Sequence, residues 1–149
     1  MDGTEWSMDR ITGLMLRSIK AEGVNPSEIG DIYKLNDHDF ELIPNAEKTL
    51  RNLRLGYSLG IISNLPHDSL IHELSTFGLI ELFDNITISG QVGYRKPHPE
   101  IYQRALRLAR AKPAKSIFVS HDKEEVEGAE RVGIRGILVK SLEEVMGVL

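Results

Sequence analysis

The side chains best suited to chemistry fall in short stretches of this 149-residue chain. Ser63-Asn64 offers a hydroxyl and an amide, Lys96 an ammonium between Arg95 and Pro97, and Asp122 a carboxylate soon followed by Glu124 and Glu125. A hydroxyl, an ammonium and a carboxylate together suit an anion plus a divalent cation. Ser63 can donate to a phosphate oxygen, and the N–H groups around Asn64 and Leu65 lead into a helix start, which favours an anion. Ser63 as a simple cap of that helix is an equally physical reading. Lys96 can aim its charge at an anion, with Pro97 and Pro99 fixing the turn on both sides of His98. A solvated surface lysine is the plainer alternative. Asp122 suits a hard cation such as magnesium, or it serves the dipole of the helix it opens. Successive helical positions point in different directions, so Glu124, Glu125 and Glu127 do not all act as ligands. His67 and His72 have a poor spacing for one helix face, and His38, His98 and His121 sit in separate loops, which argues against a zinc site.

These residues need elements to carry them. Met8 to Glu22 carries Ile11, Leu14, Met15 and Ile19 at helical spacing. Gly23 breaks it, and Ser27 opens a short helix to about Leu35. Pro44-Asn45 opens another, with Ala46, Leu50 and Leu53 on one face, stopped by Gly56. Tyr57 to Ile62 is a short apolar run that suits a buried parallel strand. Alternation follows: a helix over Pro66 to Phe77, a strand over Ile86 to Ser89 and a helix over Pro97 to Ala109. Then come a strand over Ser116 to Ser120, a helix over Lys123 to Val132, a strand over Arg135 to Val139 and a last helix capped by Ser141. Helices alternating with short strands predict an α/β fold with a parallel sheet and helices on both faces. Residues 1–43 form a helical block and residues 44–149 an α/β core. In such a sheet ligands bind at the carboxyl ends of the strands, and Ser63, Lys96 and Asp122 all fall after predicted strands.

Composition narrows the classes. The chain has 41% hydrophobic and 27% charged residues, no cysteine and a net charge of −4. Absence of cysteine excludes a disulfide scaffold, a thiolate zinc site and a cysteine nucleophile. The acidic balance gives no footprint for nucleic acid. No apolar run has transmembrane length, so no membrane partner is expected, and a cytoplasmic protein is.

GIISNLPHD, GYRKPHPEIY and FVSHDKEEVEGAERVG resemble, in order and spacing, the second, third and fourth motifs of the haloacid dehalogenase superfamily. The similarity covers roughly residues 44–149, and its phosphatase-like members with a small helical cap are the nearest match. Residues 5 to 43 then look like a remnant of that cap. The resemblance implies a HAD-like Rossmannoid sheet and a small phosphorylated substrate. It implies that Ser63 and Asn64 bind the phosphoryl group and that Lys96 stabilises an aspartyl-phosphate intermediate. Asp122 would hold magnesium, with Glu125 in the place of the motif's later acid. Ser120-His121-Asp122 stands where the family has Gly-Asp, and Glu125 where it has Asp. The family's first motif reads Asp-x-Asp-x-Thr at the end of an apolar strand. Asp2-Gly3-Thr4 matches its back half, making Asp2 the acid/base and placing the nucleophile just ahead of Met1. That strand is central in the family's sheet. The strands ending at Ser63 and Ser120 are therefore expected as the inner pair, meeting directly or leaving a gap.

Two functions follow from the resemblance. One is a magnesium-dependent phosphatase, with dehalogenation as a sub-reading, represented by a chain that is inactive alone. The other is a degenerate, non-catalytic domain used for phosphate binding or protein interaction. An incomplete sheet also leaves an edge that a second copy could pair, as in a homo-oligomer.

Overall fold

The computed structural model describes residues 42–64 and 67–149. The expected helices at Met8 to Glu22 and Ser27 to Leu35, the cap segment 1–43 apart from its last two residues, and Asp2 lie outside the described residues. The element order is α1 (Ala46–Arg54), β1 (Gly60–Ser63), α2 (His67–Thr76), a 3₁₀ turn (Ile80–Leu82), β2 (Asn85–Ile88), α3 (Ser89–Val92) and α4 (Pro99–Ala109). A second 3₁₀ turn (Pro113–Lys115), β3 (Ile117–Ser120), α5 (Lys123–Glu130), β4 (Arg135–Leu138) and α6 (Leu142–Val148) complete it. The alternation read from the sequence is present, with three strands shorter and the second shifted by one residue, Ser89 opening a helix instead. The first begins at Gly60 rather than Tyr57, because Ser58 and the Leu59 N–H are drawn to the Asp84 carboxylate.

All four strands run parallel in their pairs. β1 pairs with β2, from Gly60 opposite Asn85 to Ser63 opposite Ile88. β3 pairs with β4, from Ile117 opposite Arg135 to Ser120 opposite Leu138. No hydrogen-bonded ladder joins the two ribbons among the described residues. Between them lies a cavity of about 850 Å3, walled by Ile61 and Ile62 of β1 and by Phe118 and Val119 of β3. Among the described residues no strand stands between β1 and β3.

Side-chain alternation assigns the layers. Ile62 and Phe118 pack on a cluster built from Ile101 and Tyr102 of α4 and Ala129 of α5. Their neighbours Ile61 and Val119 join clusters on the opposite face. Ile61 meets Leu70 and Leu74 of α2, and Val119 meets Leu53 of α1 and Val145 of α6. α4 touches both β1 and β2, and also α5, so it spans from one ribbon to the other. Gly136 in β4 permits the close approach of α5: an added Cβ would lie 2.6 Å from Val126 Cγ1 and 3.0 Å from Glu130.

Asp84 gathers the amino ends of the first ribbon. Its carboxylate accepts from the Arg54 guanidinium at the end of α1, from the Ser58 hydroxyl and from the Leu59 N–H at 3.2 Å. The Ser58 hydroxyl, then Arg54, hold the Asp84 carboxyl below the ordinary range. A carboxyl depressed in the fold contributes stability above its unfolded pKa and loses it as pH falls through the folded pKa. The group is exposed, so solvent screens the effect. Asp84→Asn is expected to lower Tm at pH 7, with the difference from wild type shrinking as the pH is taken below the usual carboxylate range. Melts over a pH series check this, and a difference independent of pH would contradict it.

Candidate active site

The described functional candidates, Ser63, Asn64, Lys96, Asp122 and Glu125, lie at or beyond the carboxyl ends of the strands. Ser63 is the last residue of β1 and is buried. Asn64 follows it. Its Oδ1 accepts the Lys96 N–H at 2.9 Å, and its Nδ2 donates to the Lys96 carbonyl at 3.3 Å. The Asn64 side chain is therefore engaged with protein backbone. The loop from Gly93 to His98 that carries Lys96 is fixed at both ends. Gly93 at φ 83° closes α3. His98 Nδ1 accepts the Glu100 N–H and caps α4, while its ring stacks on Tyr94 at 4.2 Å. The Lys96–Pro97 peptide is cis.

The Lys96 side chain reaches the other ribbon. Nζ lies 3.0 Å from Glu125 Oε2, with both side chains about one-sixth exposed or less. The same Oε2 accepts the Ser120 hydroxyl at 2.8 Å, and Ser120 Oγ in turn accepts the Asp122 N–H at 3.1 Å. The Phe118 ring lies 5.8 Å from Nζ, within cation–π range. Asp122 is the N-cap of α5, its Oδ1 accepting from the Glu124 and Glu125 N–H groups. Contacts thus run in sequence from Asn64 through Lys96, Glu125 and Ser120 to Asp122, and Ser63 adjoins the first of them. Lys96, Ser120 and His121 also line the cavity between the ribbons.

Glu125 is set from behind. Tyr102, buried in α4, donates its hydroxyl to the Glu125 carbonyl at 2.8 Å. Burial first, then the Glu125 charge, push its phenol well above the ordinary range, so it stays protonated as a donor. Sequence reasoning passed over Tyr102, although it stands in the quoted GYRKPHPEIY. It also passed over Ser120 as a partner of Glu125. The bond links residues 120 and 125 across the turn into α5, and a hydroxyl at a strand end is a weak signal alone.

Magnesium calls for several oxygen ligands. Among the described residues no group of three His, Asp or Glu side chains gathers to hold a metal ion. Asp122 is exposed and keeps one carboxylate oxygen clear of the cap bonds, while Glu125 is engaged with Lys96 and Ser120. The described residues by themselves do not fit a magnesium site.

Comparison with known proteins bears on this arrangement. The family model described as haloacid dehalogenase-like hydrolase matches residues 10–139. The chain belongs to that family. A glyceraldehyde 3-phosphate phosphatase from Methanothermobacter thermautotrophicus is 37% identical over 100 residues, which cover 66% of this chain and 44% of that protein. Pyrophosphatase PpaX from Bacillus cereus is 32% identical over 104 residues, covering 67% and 48%. The chain spans about half the length of these curated relatives. Among solved structures, a 2-haloacid dehalogenase from Pseudomonas syringae superposes with TM-score 0.77 at 20% identity, covering 95% of this chain and 69% of that one. A HAD phosphatase from Thermococcus onnurineus gives 0.65 at 19%, covering 95% and 87%. At such identities the likeness speaks for the fold alone, and it is the HAD-like α/β fold. No helix among the described residues is long and apolar enough to cross a membrane.

In this HAD chain α5 lies against the lysine loop at Gly128. A Cβ there would stand 2.8 Å from the Pro97 carbonyl oxygen and 2.9 Å from the Tyr102 hydroxyl oxygen. Backbone cannot yield as a flexible side chain does. Gly128→Ala is expected to destabilise by about 1–3 kcal/mol, the usual cost of overpacking. Urea unfolding tests this, and an unchanged midpoint would mean that α5 and the loop have slack between them.

Proposed function

We propose that this chain carries the phosphate-binding and charge-neutralising half of a phosphatase acting on a small phosphate ester. The observation that supports it most is the Lys96 ammonium, held at the carboxyl ends of the strands by Asn64 at its backbone and Glu125 at its tip. The two relatives, a glyceraldehyde 3-phosphate phosphatase and a pyrophosphatase, both release phosphate, and the former supports an ester substrate. Ser63 would donate its hydroxyl to a phosphoryl oxygen, and Lys96 would offset the negative charge that grows in the transition state. In the family's scheme an aspartate oxygen attacks phosphorus and the P–O ester bond breaks. The leaving oxygen takes a proton from the acid, here Asp2. Water then hydrolyses the acyl-phosphate, releasing inorganic phosphate and restoring the carboxylate. On this reading the motif's attacking aspartate would precede Met1. Magnesium dependence would need donors beyond Asp122.

The test is turnover of a generic phosphate ester, with magnesium or with chelator. It compares the 149-residue chain with a version carrying an apolar strand that ends in aspartate ahead of Met1. The chain alone is expected to bind inorganic phosphate weakly and turn nothing over, whereas the extended version turns over with magnesium only. Lys96→Ala in the extended version is expected to lower kcat by about 10²–10³, as for loss of a transition-state donor. An extended version that folds and binds phosphate yet turns nothing over would favour the non-catalytic reading. Turnover by the 149-residue chain that disappears in Asp2→Asn would make Asp2 the nucleophile.

A further inference from the structure

We infer that Asn64 is a positioning residue for Lys96, an inference that rests on the phosphatase reading for its functional meaning. The sequence and the family motif place Asn64 among the phosphate ligands. The geometry gives its side chain a different task. One amide side chain satisfies both polar backbone groups of a single residue 32 positions away, accepting from its N–H and donating to its carbonyl.

The pairing is chemically selective. Asn and Gln carry a donor and an acceptor side by side on one planar amide. Asn has the shorter reach, and its orientation here is fixed by complementarity. Reversing the amide would set donor against donor and acceptor against acceptor. Alanine would leave the Lys96 peptide without both partners. Aspartate, equal in size, would keep the acceptor for the N–H but turn an oxygen toward the Lys96 carbonyl.

The bond matters because of where the lysine goes next. The backbone of residue 96 is held against the end of β1, and its side chain runs to Glu125 on α5. The ammonium is thereby located from both its root and its tip. Releasing the root frees the loop that sets the direction of the chain. Ser63, one residue before Asn64 in β1, then shares a backbone frame with the lysine it is proposed to work beside. On this account Asn64 acts on an anion through Lys96.

The experiment uses the full 149-residue chain, with inorganic phosphate as the probe, and has two readouts. The first is the NMR correlation of the Lys96 side chain without ligand. In wild type it is expected apart from those of solvated lysines. In Asn64→Ala and Asn64→Asp it should move to their position, the aspartate variant showing that loss of the donor, not of volume, is responsible. An unmoved Lys96 signal in a folded Asn64→Asp variant would overturn the inference, and should Asn64→Ala fail to fold, the aspartate variant alone decides it. The second readout is phosphate affinity by calorimetry. Asn64→Ala is expected to weaken binding about fivefold, the worth of roughly one net hydrogen bond. That loss should vanish in a Lys96→Ala background, since residues acting through one another are not additive. Equal losses in both backgrounds would make Asn64 a direct phosphate contact and overturn the proposal. Should wild type bind no phosphate, the phosphatase reading fails, while the Lys96 signal still decides what Asn64 does.

Discussion

Lys96 joins two parts of a sheet that share no hydrogen-bonded ladder among the described residues. Its peptide is bonded to Asn64 at the end of β1, and its ammonium to Glu125 at the start of α5 behind β3. Among the described residues helices also hold the ribbons, α4 across one face and α1 against α6 on the other. Helices set the spacing of the two ribbons through apolar contact, which is strong but not directional. The polar links to Lys96 add direction at the end of the sheet where an anion would sit.

The cavity between the ribbons follows from the same geometry. A strand position is about 4.8 Å from each neighbour. Two inner edges left unpaired by the described residues present N–H and C=O groups that need partners. Apolar side chains of β1 and β3 form its walls, and Lys96, Ser120 and His121 stand among its lining residues. The space is apolar along the strands and polar at both ends, with Ser58, Lys115 and Ser116 at the amino ends and Lys96, Ser120 and His121 at the carboxyl ends.

The elements were largely legible because short apolar runs bounded by turn residues are local signals. Gly56, Asn64 and Gly133 punctuate the chain where elements end. The strand boundaries moved where distant side chains intervened. Tyr57 to Leu59 reads as strand, yet Asp84, whose role no local pattern discloses, takes up Ser58 and the Leu59 N–H. Placement of Ser63, Lys96 and Asp122 after strands was readable from the alternation and from the three motifs. Their couplings were not. Asn64 looks like a phosphate ligand in a motif, and only the fold reveals that its amide faces the peptide of Lys96. Glu125 reads as one of several first-turn acids. Its distinction comes from Tyr102 holding its carbonyl and Ser120 meeting its carboxylate.

Because Lys96 is paired with Glu125, an arriving anion must compete for the ammonium or share it. The anion brings more negative charge than one carboxylate, and sharing keeps both the Asn64 bond and the Glu125 contact in place. The most direct measurement is a crystal structure of this chain soaked with tungstate, an electron-rich tetrahedral analogue of phosphate. Anomalous density is expected at the carboxyl end of β1, within hydrogen-bond reach of the Ser63 hydroxyl and the Lys96 ammonium, with the Asn64 bonds to Lys96 intact. Tungstate bound elsewhere, with this end of the sheet empty and Lys96 still turned wholly to Glu125, would contradict it.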